Sequence, residues 1–227
     1  MSASINGDLS QRVVVRSHEM PWSPSPSGKV WRKRLHRVGP AESGQVTSVV
    51  RYEPGSTFPA HDHPGGEEIL VLDGVFSDEH GDWPAGTYLL NPEGFRHAPF
   101  SQPGSMLFVK LRQFPGAGRQ HIVLDTPRAA WRPSDEEGVD VKHLYQQPGF
   151  SDRVRLERWT PGSAHQRTYA DGAELFVVEG ELADELGVYP ALSWLRFPVG
   201  SRHRAKTDGG CTLYVKEGGL AYLLGGV

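Results

Sequence analysis

A single cysteine, Cys211, stands in 227 residues. That excludes an intrachain disulfide and a cysteine-rich structural zinc site. A chain without disulfides fits a reducing cytosol, so a cytoplasmic location is the expectation. No apolar run reaches bilayer-spanning length, and Met1 to Arg16 lacks the apolar centre of a signal peptide, so no membrane partner is expected. Charge of one sign is also missing: 24 Lys and Arg against 27 Asp and Glu leave a net charge of −3. Such a balance gives no electrostatic footprint for nucleic acid. Long apolar stretches with a period of 3.6 are absent as well, which argues against a helical architecture. What the chain has in quantity is turn formers, 27 Gly and 18 Pro. They suit many short strands joined by tight turns, an all-β fold. The length allows one large domain or two small ones, either able to bury a core.

Two linked patterns lie within residues 55–97. The first runs Gly55, five residues, His61-Asp62-His63, three residues, Glu67, six residues, Gly74. The second runs Gly86, five residues, Pro92-Glu93-Gly94, two residues, His97. His61 and His63 are two apart, so on a strand they share a face. Glu67 has the same parity, although Pro64-Gly65-Gly66 must bend the chain between them. Ile69 to Leu72 is apolar and partly β-branched, as in a buried strand. His97 follows the turn-like Asn91-Pro92-Glu93-Gly94, and an antiparallel partner strand would bring it opposite the other three. Imidazole nitrogen with carboxylate oxygen suits Zn, Fe(II), Mn, Ni or Cu(II). The predicted metal ligands are therefore His61, His63, Glu67 and His97. No general base stands out beside them, and no organic cofactor is implied.

These stretches resemble the two motifs of the cupin superfamily. More narrowly, His61 to Phe76, Pro84-Ala85-Gly86-Thr87-Tyr88 and Leu107-Phe108-Val109-Lys110 are similar to the cupin domain of the ChrR anti-sigma factors. That group also includes small-molecule dioxygenases such as acetylacetone-cleaving enzymes. The resemblance implies a jelly-roll barrel, a bound zinc at the matching positions, and a sensor or regulatory role toward a sigma factor. It also implies homodimers, which jelly-roll cupins form through sheet edges.

Shifted by 106, the sequence matches itself. Leu72 to Glu79 falls on Val178 to Glu185, Pro92-Glu93-Gly94 on Pro198-Val199-Gly200, His97 on His203, and Leu107 to Lys110 on Leu213 to Lys216. With the resemblance, the repeat predicts two antiparallel β jelly-roll barrels in tandem. The expected division is a metal-binding domain over 1–120, with N-terminal edge strands that include Val13-Val14-Val15, and a degenerate domain over 121–227. The second copy has lost the ligand set. Glu67 falls on Ala173, His61 and His63 fall among Arg167 to Ala170, and only His203 remains.

Other features carry blander expectations. The run Arg32 to Arg37 reads as the solvated face of an edge strand, Cys211 as a buried inert thiol. Glu68 should face away from Glu67. Tyr88, Arg96 and Lys110 can serve the barrel interior or the surface. The remaining histidines lack partner spacing. Three functions follow: a ChrR-like, sigma-factor-directed sensor, a metal-dependent enzyme such as a dioxygenase of small carbonyl compounds, or a barrel that binds a small molecule without turnover. ChrR proteins grip the sigma factor with an N-terminal zinc-binding helical domain. Upstream of residue 61 this chain offers only His18 and His36, so sequestration of that kind is not expected.

Overall fold

The computed structural model describes residues 4–224. Its regular structure is antiparallel β, apart from a 3-10 turn at Ser17–Glu19 and a short helix at Gly219–Leu224. Among the described residues no helix is long and apolar enough to cross a membrane.

Among the described residues the chain forms two compact units, residues 4–7 with 20–128 and residues 8–19 with 129–224. This differs from a cut at 120/121 in two ways. Ile122–Asp125 pairs with Thr87–Asn91 and so belongs to the first unit. Val13–Arg16 is a strand, but it pairs with Ser193–Phe197 and so belongs to the second. Each barrel has an edge strand at the same place, one supplied from after the repeat and one from before it.

In the first unit the main sheet runs Ile122–Asp125, Thr87–Asn91, Glu67–Asp78, Ser105–Leu111, Gln45–Tyr52, Val30–Val38 and Ser23–Pro24. Short pairs make the opposite wall: Ser56–Thr57 with Phe100–Ser101, and His61–Asp62 with Arg96–His97. Glu67–Asp78 serves both walls. Its first half pairs within the main sheet, and its second half pairs with Gly81–Pro84 and Phe100. The change of direction follows a bulge at Leu72 and Gly74, whose φ is 71°. A Cβ there would lie 2.1 Å from the Gly104 carbonyl oxygen, so only glycine fits. Gly180 repeats the device, with a Cβ position 2.3 Å from the Gly210 carbonyl oxygen. Val30, Ile69, Val71, Phe76, Leu107 and Val109 fill the first interior.

The second unit has the same plan. Val13–Arg16, Ser193–Phe197, Ala173–Asp184, Cys211–Glu217, Arg153–Trp159, Val139–Gln146 and Arg132–Pro133 form its main sheet. Ala164–Tyr169 pairs with Ser201–Lys206 on the other wall. Cys211 is buried there, and burial pushes its thiol up to about 12, so it carries no thiolate at neutral pH.

The basic run does not lie on a solvated face. Lys33, His36 and Arg37 are buried. Lys33 sits 4.5 Å over the Trp22 ring, and Arg32 and Arg34 share the Glu42 carboxylate at 2.7 and 3.1 Å. The strand is only partly covered by Ser23–Pro24, but neighbouring loops close over its side chains.

Gly74→Ala should cost about 1–3 kcal/mol, because it adds a backbone clash to a left-handed conformation. Gly94→Ala, at φ 83° with nothing within 4 Å of the added carbon, should cost less. Urea unfolding midpoints of the two variants test this order.

Candidate metal centre

Antiparallel pairing makes the site. His97 is the ladder partner of His61, and Arg96 that of Asp62. His63 follows by strand parity. The turn Pro64-Gly65-Gly66 then reverses the chain so that Glu67 re-enters from the main sheet, opposite Asn91. Residues 36 apart in sequence thus meet at one end of the barrel.

The donor atoms of His61, His63 and His97 lie within 4.8 Å of one another, a group that can hold a metal ion. His63 Nε2 is 2.9 Å from His97 Nε2. Glu67 Oε2 stands 3.5 Å from each of these two nitrogens. Asn91 Nδ2 donates to the same oxygen at 3.0 Å and fixes the carboxylate. The four residues singled out by spacing are therefore brought together, with Glu67 against His63 and His97.

Two tautomers are set by neighbours. His61 Nδ1 lies 2.8 Å from the Pro59 carbonyl oxygen. A carbonyl only accepts, so Nδ1 carries the proton and Nε2 keeps its lone pair. His97 Nδ1 faces Asp78 Oδ2 at 3.1 Å, with the same consequence. Burial works against ionising Asp78, but hydrogen bonds from His97 and the His80 amide outweigh it and hold its carboxyl below the usual range. Burial also lowers His97, yet the Asp78 bond and the Glu67 charge prevail and raise it. His63 is lowered, first by burial, against the pull of Glu67, with the neighbouring His97, His61 and Arg112 adding to the effect. The arrangement suits a cation: three nitrogen lone pairs converge beside a fixed carboxylate.

His63 and His97 are buried, whereas His61 is half-buried and opens onto a cavity of about 480 Å³. Phe58, Pro59 and Leu111 give this cavity apolar walls, and Arg32, Glu42 and Arg112 add charge. Behind the histidines a smaller void of about 80 Å³ is lined by Tyr52, Phe76 and Val109 among others. Phe95 packs beside His97 at 5.6 Å between ring centres and stacks on His121 at 4.9 Å.

The second unit shows what replaced the site. Arg167 pairs with His203 as His61 pairs with His97, so Arg167 and Tyr169 occupy the places of His61 and His63. The Arg167 guanidinium is held by Glu136 and Glu157. Arg155 contacts Glu157 at 2.7 Å. The ladder pair Glu67–Asn91 has become Ala173–Phe197, a buried polar pair exchanged for an apolar one. What survives is the carboxylate behind the last histidine, on the other ring nitrogen: Asp184 Oδ2 lies 3.0 Å from His203 Nε2, whereas Asp78 Oδ2 faces His97 Nδ1.

Sequence spacing missed Asp78 and Asn91. The repeat carried a signal for both, since Asp78 recurs as Asp184, and Asn91 disappears together with Glu67. Glu68 does face the other way, but into a buried layer where Tyr88 donates to it at 2.8 Å. Lys110 is buried and bonds Thr47 at 3.0 Å. Arg96 is exposed and pairs with Asp62 at 3.3 Å.

Comparison with known proteins places this geometry. Similar solved structures include a candidate dioxygenase from Nostoc punctiforme PCC 73102, with TM-score 0.72 and 16% identity over 91% of this chain and 82% of that one. The bacterial pirin YhhW of Escherichia coli, solved in complex with nickel(II), matches with TM-score 0.67 and 13% identity over 91% of this chain and 98% of its own. A mutant of the Bacillus subtilis oxalate decarboxylase OxdC matches with TM-score 0.63 and 11% identity over 94% and 78%. At these identities the likeness shows the fold, a tandem cupin, and no more. No curated protein matches the sequence. The model of the ChrR Cupin-like domain matches residues 10–115 and again 119–221, and the chain belongs to that family.

Proposed function

We propose that the first barrel holds one divalent metal through His61, His63, His97 and Glu67, and that the chain is a metal-dependent cupin enzyme acting on small carbonyl compounds, of the dioxygenase kind. The observation that carries this reading is the open side of the histidine cluster. The cluster ends at the floor of a cavity of about 480 Å³ and is not sealed inside the core. A closed structural site would have no use for that opening. When bound, such a metal supplies Lewis-acid activation of a carbonyl, or, as Fe(II), a place for dioxygen.

The chain's own residues do the rest. Pro59 and Asp78 hold Nδ1 protons on His61 and His97 and so aim both Nε2 lone pairs. Asn91 orients the Glu67 carboxylate. Tyr52, its phenol pushed up first by burial and then by Glu67, remains protonated beside the inner void. Phe58, Pro59 and Leu111 exclude water around a bound molecule. The similar structures, a candidate dioxygenase and a nickel(II)-bound pirin, support a metal cupin, and Zn, Fe(II), Ni and Mn are all compatible with the donor set.

A second reading has the family match in its favour: a zinc sensor of the ChrR type, acting on a sigma factor in the cytoplasm. Both readings share the metal and differ in the readout.

Metal analysis after chelator-free purification should find a single metal per chain. His61→Ala and Glu67→Ala should remove it, and His203→Ala should leave it unchanged. Half the metal in His203→Ala would contradict the assignment to the first barrel. Fe(II)-loaded protein should take up oxygen with β-diketones or related small carbonyl compounds. Stoichiometric zinc, no uptake, and binding to a sigma factor would favour the sensor.

Asp78→Asn should weaken metal binding by about 10-fold or more, since a ligating imidazole loses its charged partner. The pH dependence follows from His97. Its raised pKa means that the Asp78–His97 ion pair stabilises the metal-free fold at low pH, and this contribution is lost as pH rises through that pKa. A metal must displace the same proton, so its affinity should fall as pH drops through the same range. Titrations at several pH values test the sign.

A further inference from the structure

One charged side chain that lines the cavity above the histidines has no ion-pair partner among the described residues. Glu42 is shared by Arg32 and Arg34 at 2.7 and 3.1 Å. Asp62 is held by Arg96 at 3.3 Å. Arg112 has no ion pair among the described residues, and its guanidinium reaches only the Gly44 carbonyl at 3.4 Å. It is half-buried and lines the cavity together with His61 and His63.

The backbone at Arg112 is a second observation, independent of charge. Its φ is 57°, in the left-handed region that disfavours every residue with a Cβ. The conformation is forced by the turn before Glu67. Arg112 N donates to the Gly66 carbonyl at 2.9 Å, and a Cβ on Gly65 would lie 3.1 Å from Arg112 Cα. In the second barrel the equivalent bond runs from Gly218 to Gly172, and the residue there is glycine, at φ 76°. The barrel with the histidines therefore holds a guanidinium where the backbone favours glycine, and the barrel without them does not. Strain of this kind at a cavity wall points to function.

We propose that Arg112 seats a carboxylate, so that the molecule entering the first barrel is a small carbonyl compound carrying a carboxylate. Its carbonyl end faces the histidine cluster, its carboxylate pairs with Arg112, and its carbon body rests on Phe58 and Leu111. The assignment of the carbonyl end rests on the metal reading above; the assignment of the carboxylate end does not.

Calorimetric titration of the full chain with pyruvate and with its neutral methyl ester tests this, with metal content measured on the same samples. Pyruvate should bind about tenfold or more tightly than the ester. Arg112→Gly and Arg112→Gln should lose that preference, and Arg112→Lys should keep part of it. Arg112→Gly also relieves the left-handed strain, so its melting temperature should equal or exceed that of the wild type, which rules out misfolding as the cause. Equal binding of acid and ester by the wild type, or a preference undiminished in Arg112→Gly, would overturn the proposal. A wild type that holds no metal would sink the metal reading, and the acid-to-ester preference of that metal-free protein would still decide the role of Arg112.

Discussion

The pairing of His97 with His61 is the contact on which the rest of the site depends. It is a short ladder of two residues on each side, and by itself it would be weak. It persists because backbone bonds continue it on both sides, Phe58 N to the Pro99 carbonyl at 2.8 Å and His63 N to the Phe95 carbonyl at 2.9 Å, and because the bulge at Gly74 sends Glu67–Asp78 across to the same side of the barrel. Once the pair exists, strand parity aligns His63, the glycine turn returns Glu67, and Asp78 arrives behind His97 from the far half of the same strand. The geometry of the cluster is a consequence of β-sheet periodicity and one glycine-dependent bend.

The second barrel is an internal control on this reasoning. It keeps the bend, the ladder and the carboxylate behind the last histidine, yet it places Arg167, Tyr169 and Ala173 where the donors would be. A half-buried guanidinium needs its own counter-charges, and Glu157 and Glu136 supply them. Asn91 gives way to Phe197 at the step where Glu67 gives way to Ala173. At this step of the ladder the buried amide stands where it has a carboxylate to serve. The fold therefore does not require the polar cluster; the cluster is an addition to one barrel.

Much of this was legible from spacing. The two barrels, the offset of 106 and the four candidate ligands follow from glycine positions, parity and the His61-Asp62-His63 pattern. Other points needed coordinates. The position of the lost ligands in the second copy was ambiguous by one residue until the Arg167–His203 pair fixed the register. The strand Val13–Arg16 adjoins the second barrel in space, and a short apolar run cannot announce a partner far along the chain. Arg32 to Arg37 read as solvated because composition does not reveal Glu42 and Trp22 folding over it. The φ of Arg112 has no sequence signature except its alignment with Gly218.

In the function proposed above, one barrel carries a metal bound by imidazoles and a carboxylate, with a side open to the cavity. The X-ray absorption spectrum of the metal in the protein as purified tests it most directly. The expected result is a shell of nitrogen and oxygen donors with imidazole scattering from His61, His63 and His97, and a change in that shell when a small ligand is added. A shell containing sulfur, fewer imidazoles, or a closed four-coordinate site unaltered by any ligand would contradict it.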